Sequence, residues 1–121
     1  MPDPHFVGIL DMEPNPADAN TLRVKSKGFA FYDEKGTEWD AAEGEITDGA
    51  SIPSLLKPII GHSFDSLYLP AAVLHDLACQ QRIRSWRSCA EMFREALVTS
   101  GISRPRAFAM WAAVYVFGPH W

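Results

Sequence analysis

The stretch Asp48-Gly49-Ala50-Ser51-Ile52-Pro53, read together with His75-Asp76 further along, divides the chain into two halves of different period. Asp-Gly is a turn former, and Ser51 ahead of Ile-Pro is placed to cap a short helix. Upstream of it, apolar and polar residues alternate as in strands. Downstream, apolar residues recur every three or four positions as in helices. The expectation is an α+β single domain over residues 1–121. A small N-terminal antiparallel β-sheet occupies the β-rich residues 1–48, and about three helices follow in 49–121, two of them an antiparallel hairpin.

Working back from Asp48, Ile46-Thr47 leads into the turn and Glu43-Gly44-Glu45 reverses the chain before it. Phe29, Phe31 and Trp39 flank the polar loop Asp33-Glu34-Lys35-Gly36, which predicts a hairpin. Leu22 to Lys25 alternates as a half-exposed strand does. Phe6 to Leu10 reads as the strand of the first twenty residues, with Pro14 and Pro16 ending it.

Working forward, Pro53 begins a short helical turn that Pro58 and Gly61 stop, and a polar-aromatic loop fills 61–68. Pro70 suits the first turn of a helix that runs to about Gln81. Ser85 is a cap for a second helix, to about Ser100, which Gly101 ends. Its apolar positions Trp86, Cys89, Ala90, Phe93, Ala96 and Leu97 share one face. Ser103 and Pro105 open a third helix whose apolar run from Ala107 to Phe117 predicts a buried element, and Gly118-Pro119 closes it.

A chain of 121 residues can bury a core without disulfides or metal, and its 47% hydrophobic content excludes a disordered chain. The net charge of -4 argues against non-specific nucleic-acid binding, which needs an excess of Lys and Arg. Arg82, Arg84, Arg87, Arg94, Arg104 and Arg106 nevertheless bias the second half towards basic. That bias fits a solvated helical face or, alternatively, a phosphate or anionic-lipid surface. No apolar run approaches the ~20 residues that span a bilayer. The opening Pro2-Asp3-Pro4 is unlike a basic-then-apolar leader, so a cytoplasmic location is expected. Cys79 and Cys89 are too few for a disulfide framework and read as reduced, buried thiols.

The candidate chemistry lies at the junction of the two halves. One helical turn either side of His75 stand Ala71, Ala72, Ala78 and Cys79, all small, which leaves room above the imidazole for a close-packed helix or a bound molecule. Asp76 lies about 100° further round, so the two side chains address different partners. One reading makes His75 a general base and Asp76, with Asp48 and backbone carbonyls, a site for a hard cation such as Ca2+. The other makes all three structural: an imidazole bonded to backbone, an aspartate near the helix surface, and an Asp-Gly turn.

Several blocks in order resemble one family: Thr47-Asp48-Gly49-Ala50-Ser51-Ile52-Pro53, Ala71-Ala72-Val73-Leu74-His75-Asp76, Phe93-Arg94-Glu95-Ala96-Leu97 and Phe117-Gly118-Pro119. It is an uncharacterised domain family of tailed phages and prophages. The resemblance implies a phage or prophage origin, with the bacterial host cytoplasm or the virion as location. A looser similarity, over about fifty residues, is to bacterial phospholipase A2-like proteins. It implies His75 as the water-activating base, Asp76 as a calcium ligand and Asp48 to Ser51 as the calcium loop. The chain departs from that pattern where Ala90 stands in place of the carboxylate that orients the base. Glu91, next to it, is the supporting acid nearest in sequence, but it points off the apolar face, towards Arg87 or Arg94. An imidazole without its orienting acid loses tautomer control and much of its rate.

Two functions follow. The first is a phage-encoded envelope hydrolase, of degenerate or weakened activity, with His75 as base and Asp76 and Asp48 holding a cation. The second is a non-enzymatic virion or assembly protein that keeps an enzyme-like core, with phage structural proteins as partners and aromatics such as Trp121 as its interface. A metal-dependent phosphohydrolase would need a further ligand-bearing helix before the His-Asp pair, and His62 lies in a Gly-Ser loop instead.

Overall fold

The computed structural model describes residues 3–47 and 67–121, with the side chains of residues 19 and 20 left aside. Six strands come first: β1 (His5–Val7), β2 (Met12–Asn15), β3 (Asp18–Val24), β4 (Phe29–Tyr32), β5 (Glu38–Ala41) and β6 (Ile46–Thr47). Among the described residues three helices follow: α1 (Leu69–Gln81), α2 (Trp86–Thr99) and α3 (Arg104–Phe117). The α+β order expected from the change of period is present. The strands divide, however, between two three-stranded antiparallel sheets, β1-β4-β5 and β2-β3-β6.

The first sheet is built on β4, whose Phe29 and Phe31 are buried and meet Phe6 of β1 at ring-centroid distances of 5.8 and 4.9 Å. Its hairpin to β5 is held by Asp33. That carboxylate accepts from the backbone N–H of Lys35 and of Thr37, both at 2.9 Å, and from Trp39 Nε1 at 3.0 Å. A buried carboxylate given three donors is a stable arrangement, and it fixes Trp39 to the turn.

The second sheet corrects the reading of the N-terminal prolines. β1 stops at Gly8, where φ is +77° and an added Cβ would meet the Gly28 carbonyl at 3.3 Å. Pro14 does not end a strand. It lies inside β2, opposite Leu22, with the register shifting just after it. β2 is the edge of its sheet, where a residue without an N–H is tolerated.

The helices begin and end on chemistry visible in the sequence. Pro70 lies in the first turn of α1 and Pro105 in that of α3, and Ser85 caps α2 by accepting from the Ser88 N–H at 3.1 Å. α2 ends in a Schellman turn: Ile102 N donates to Leu97 O and Gly101 N to Val98 O, each at 3.0 Å, with Gly101 at φ +103° and Ile102 buried. α1 is the central element, packed against α2, β5 and β6, and Ala71, Ala72, Val73, Leu74, His75 and Leu77 are all buried.

α3 departs from expectation. Only Ala107, Met110 and Val114 are buried, the stripe that faces α2, while Phe108, Val116 and Phe117 are 60%, 59% and 70% exposed. The third helix is thus covered on one side among the described residues.

Candidate functional site

Thr47, the last residue of β6, lies against α1, and the His-Asp pair faces two ways from that helix. The Thr47 hydroxyl, fully buried, donates to Asp76 Oδ2. Gln80, one turn on, donates from Nε2 to the same carboxylate at 2.8 Å and to the Ile46 carbonyl at 3.2 Å. Gln81 reaches Glu45 at 2.9 Å. These contacts lash the outer side of α1 to the end of the second sheet. Sequence reasoning singles out neither Thr47 nor Gln80, although an Asp and a Gln four apart on a helix are natural partners.

His75 points to the other side. It is 4% exposed and its ring tilts over Phe93 of α2, with centroids 5.0 Å apart. The space left by the small residues around it is therefore filled by a packed helix. Its polar neighbour among the described residues is the Cys79 thiol, with Sγ 3.6 Å from Nε2 and 3.9 Å from Nδ1.

Burial sets the protonation of this pair. It lowers the imidazole of His75 from its ordinary 6.5 to about 4. It raises the Cys79 thiol to about 12, with Cys89 and Asp76 adding to the rise and Arg82 opposing it. Cys89, fully buried in the core, is raised to about 11 by the same desolvation. At neutral pH the pair is a neutral imidazole beside a protonated thiol. That is the opposite of the thiolate–imidazolium state in which a cysteine attacks. Both cysteines are free thiols.

Of the sequence-predicted site residues, His75 and Asp76 are adjacent but serve different neighbours. Glu91 is ion-paired with Arg94, one helical turn on. It lines a groove with Asp33, Lys35 and Thr37, on the hairpin side of α2. Ala90 is buried in the core and brings no acid to the imidazole. Asp48 and Ser51, with the short helical turn after Pro53 and most of the loop 61–68, lie outside the described residues. Among the described residues no three His, Cys, Asp or Glu side chains gather at a cation site. Trp121 is not a free aromatic: Nε1 donates to the Arg84 carbonyl at 3.0 Å and Arg82 lies over the ring at 5.4 Å.

No solved structure matches the chain. The uncharacterized protein y4iH of Sinorhizobium fredii is 36% identical over 116 residues, which are 96% of this chain and 48% of that protein. The uncharacterized protein y4jT of the same organism is 36% identical over 105 residues, 87% of this chain and 31% of its own length. The chain thus spans about half or less of the curated relatives it matches. With residues 23–114 matching the family described as protein of unknown function, DUF1353, the chain belongs to that family.

Proposed function

We propose that the chain acts as a non-enzymatic accessory domain of a phage- or prophage-encoded protein, in the virion or in the cytoplasm of the bacterial host. In this role the His75-Asp76 pair joins sheet to helices. The observation that carries this reading is the burial of His75 under Phe93, with a thiol as its polar neighbour. A general base working near neutrality needs a pKa near neutrality and a route to its substrate, and an imidazole held near 4 inside a helix pair has neither. The greater length of the relatives supports a domain carried within larger proteins. The phage or prophage origin rests on the ordered blocks from Thr47 to Pro119.

One observation favours a second reading, a calcium-dependent envelope hydrolase of phospholipase A2-like type. Asp76 is hydrogen-bonded to Thr47, the residue that precedes Asp48 in sequence. In that reading Asp76 and Asp48 hold Ca2+, and His75 activates water.

Phospholipid mixed micelles with calcium, incubated with the protein and with His75→Ala, test both. The accessory reading expects no fatty acid from either protein, a lower Tm for His75→Ala, and the chain among the proteins of purified particles or their assembly intermediates. Fatty acid released by the unaltered protein and abolished in His75→Ala would establish the hydrolase and overturn it.

A further inference from the structure

Residues 77–90 and 96–121 contain five arginines, Arg82, Arg84, Arg87, Arg104 and Arg106, and no Asp or Glu, in a chain whose net charge is -4. All five arginines are exposed. The start of α2 sets Arg87 over Trp86 in a continuous aromatic strip, and the turn before it sets Arg82 over Trp121, next in sequence to the strip's His120. Phe108, Trp111 and Tyr115 meet in turn along α3 as tilted rings 5.4 and 5.0 Å apart, and Trp86 continues the row, tilted against Tyr115 at 4.9 Å and stacked on His120 at 3.8 Å. Arg87 lies 4.5 Å over Trp86, while Arg84 lies 4.9 Å over the buried Trp39, where with Ile83 it lines a cavity shared with Glu38 and Asp40. Among these residues Ile83 is 80% exposed, and Phe108 and Val116 are open on α3.

We propose that this strip is a docking surface for an anionic lipid bilayer, on which the domain lies without crossing it. The chemistry selects that partner. Guanidinium groups pair with lipid phosphates, Trp and Tyr favour the bilayer interface, and exposed aliphatic and aromatic side chains between the arginines gain by entering the acyl boundary. A nucleic acid would satisfy the arginines but offers nothing to Ile83 and Val116. Of the rings in the row, Trp86 is already covered by Arg87 and stacked on His120. A second copy docked two-fold on the same strip would set arginines against arginines. No helix among the described residues is long and apolar enough to cross a membrane, and lying on the surface needs none. The proposal holds whichever role His75 has.

Sedimentation with vesicles of phosphatidylcholine containing phosphatidylglycerol, against vesicles of phosphatidylcholine alone, tests it. Binding to the anionic vesicles is expected to be at least about tenfold tighter than to the neutral ones, and to weaken steeply as salt shortens the reach of the charges. The combined variant Arg82→Gln, Arg84→Gln, Arg87→Gln is expected to lose at least about tenfold in affinity. Ile83→Ser with Val116→Ser, which keeps every charge, is expected to weaken binding as well. Circular dichroism checks that both variants fold, and the salt dependence of the unaltered protein needs no variant. Absence of sedimentation with either vesicle would overturn the proposal, as would equal binding to both. So would equal affinity for duplex DNA, or a dimer in solution that Phe108→Ser dissolves.

Discussion

Helices α1 and α3 have the same average apolarity, yet α1 is enclosed by α2, β5 and β6 while α3 rests on α2 with its other side open. A helix apolar all round belongs in an interior. For α1 that interior is the fold itself, and its buried His75 and half-buried Asp76 are each matched to neighbours: His75 to Cys79 and the Phe93 ring, Asp76 to Thr47 and Gln80. For α3 the described residues cover Ala107, Met110 and Val114 and leave Phe108, Val116 and Phe117 in water. Average apolarity thus reports how much surface a helix can bury and not what buries it.

The contrast is sharpest in the cost of truncation. Leu74, on the enclosed side of α1, is expected to lose about 2–5 kcal/mol on replacement by alanine, transfer and cavity terms together. Urea unfolding measures it, and a loss below about 1 kcal/mol would mean that α1 is loosely packed.

The next effect belongs to α1 because its imidazole is buried. Unfolded, His75 takes a proton below about 6.5; folded, only below about 4. Between those values the unfolded chain binds more protons, so stability rises with pH there. This contribution is present in full above the unfolded value and is lost as the pH falls towards 4, about 3 kcal/mol at most. Stability measured from pH 7 to 4 should therefore fall more steeply in the unaltered protein than in His75→Leu. Parallel curves would mean that the imidazole is solvated.

A smaller effect tests the tie to the sheet. Asp76→Ala removes the acceptor of the buried Thr47 hydroxyl and of Gln80, and is expected to cost about 1–3 kcal/mol. Asp76→Asn, which keeps an acceptor oxygen, should recover some of that loss. An unchanged stability in both would remove Asp76 from the junction.

Most of the helical half is legible in the sequence because its boundaries are set by local chemistry: Pro70, Ser85, Gly101 and Pro105 act on their own turn of chain. The β half is legible at the Phe29–Trp39 hairpin, where an Asp-led turn separates alternating aromatics. It is misread at Pro14, because whether a proline ends a strand depends on which side of that strand is an edge, and neighbours decide that. The same limit applies at the site. Spacing shows that His75 and Asp76 diverge and that the imidazole has room above it. That Phe93 fills the room, and that Thr47 takes the aspartate, depends on pairings far apart in sequence. A buried third helix follows from apolar content alone, which carries no information about its cover.

Smallest of all is the change expected on the open side of α3. Val116→Ser removes an apolar side chain that is already more than half in water, so it should alter unfolding free energy by no more than about 0.5 kcal/mol. Set against Leu74→Ala, this separates an apolar residue the fold uses from one it leaves over. A loss above about 2 kcal/mol would show that Val116 is buried within the folded chain in solution, because so large an effect requires a packed site. The distinction between the helices would then collapse, and with it the argument that α3 presents an apolar face to anything outside the chain. An unchanged free energy keeps the face open, and any vesicle affinity that the variant loses is then a loss of contact with lipid rather than of folded protein.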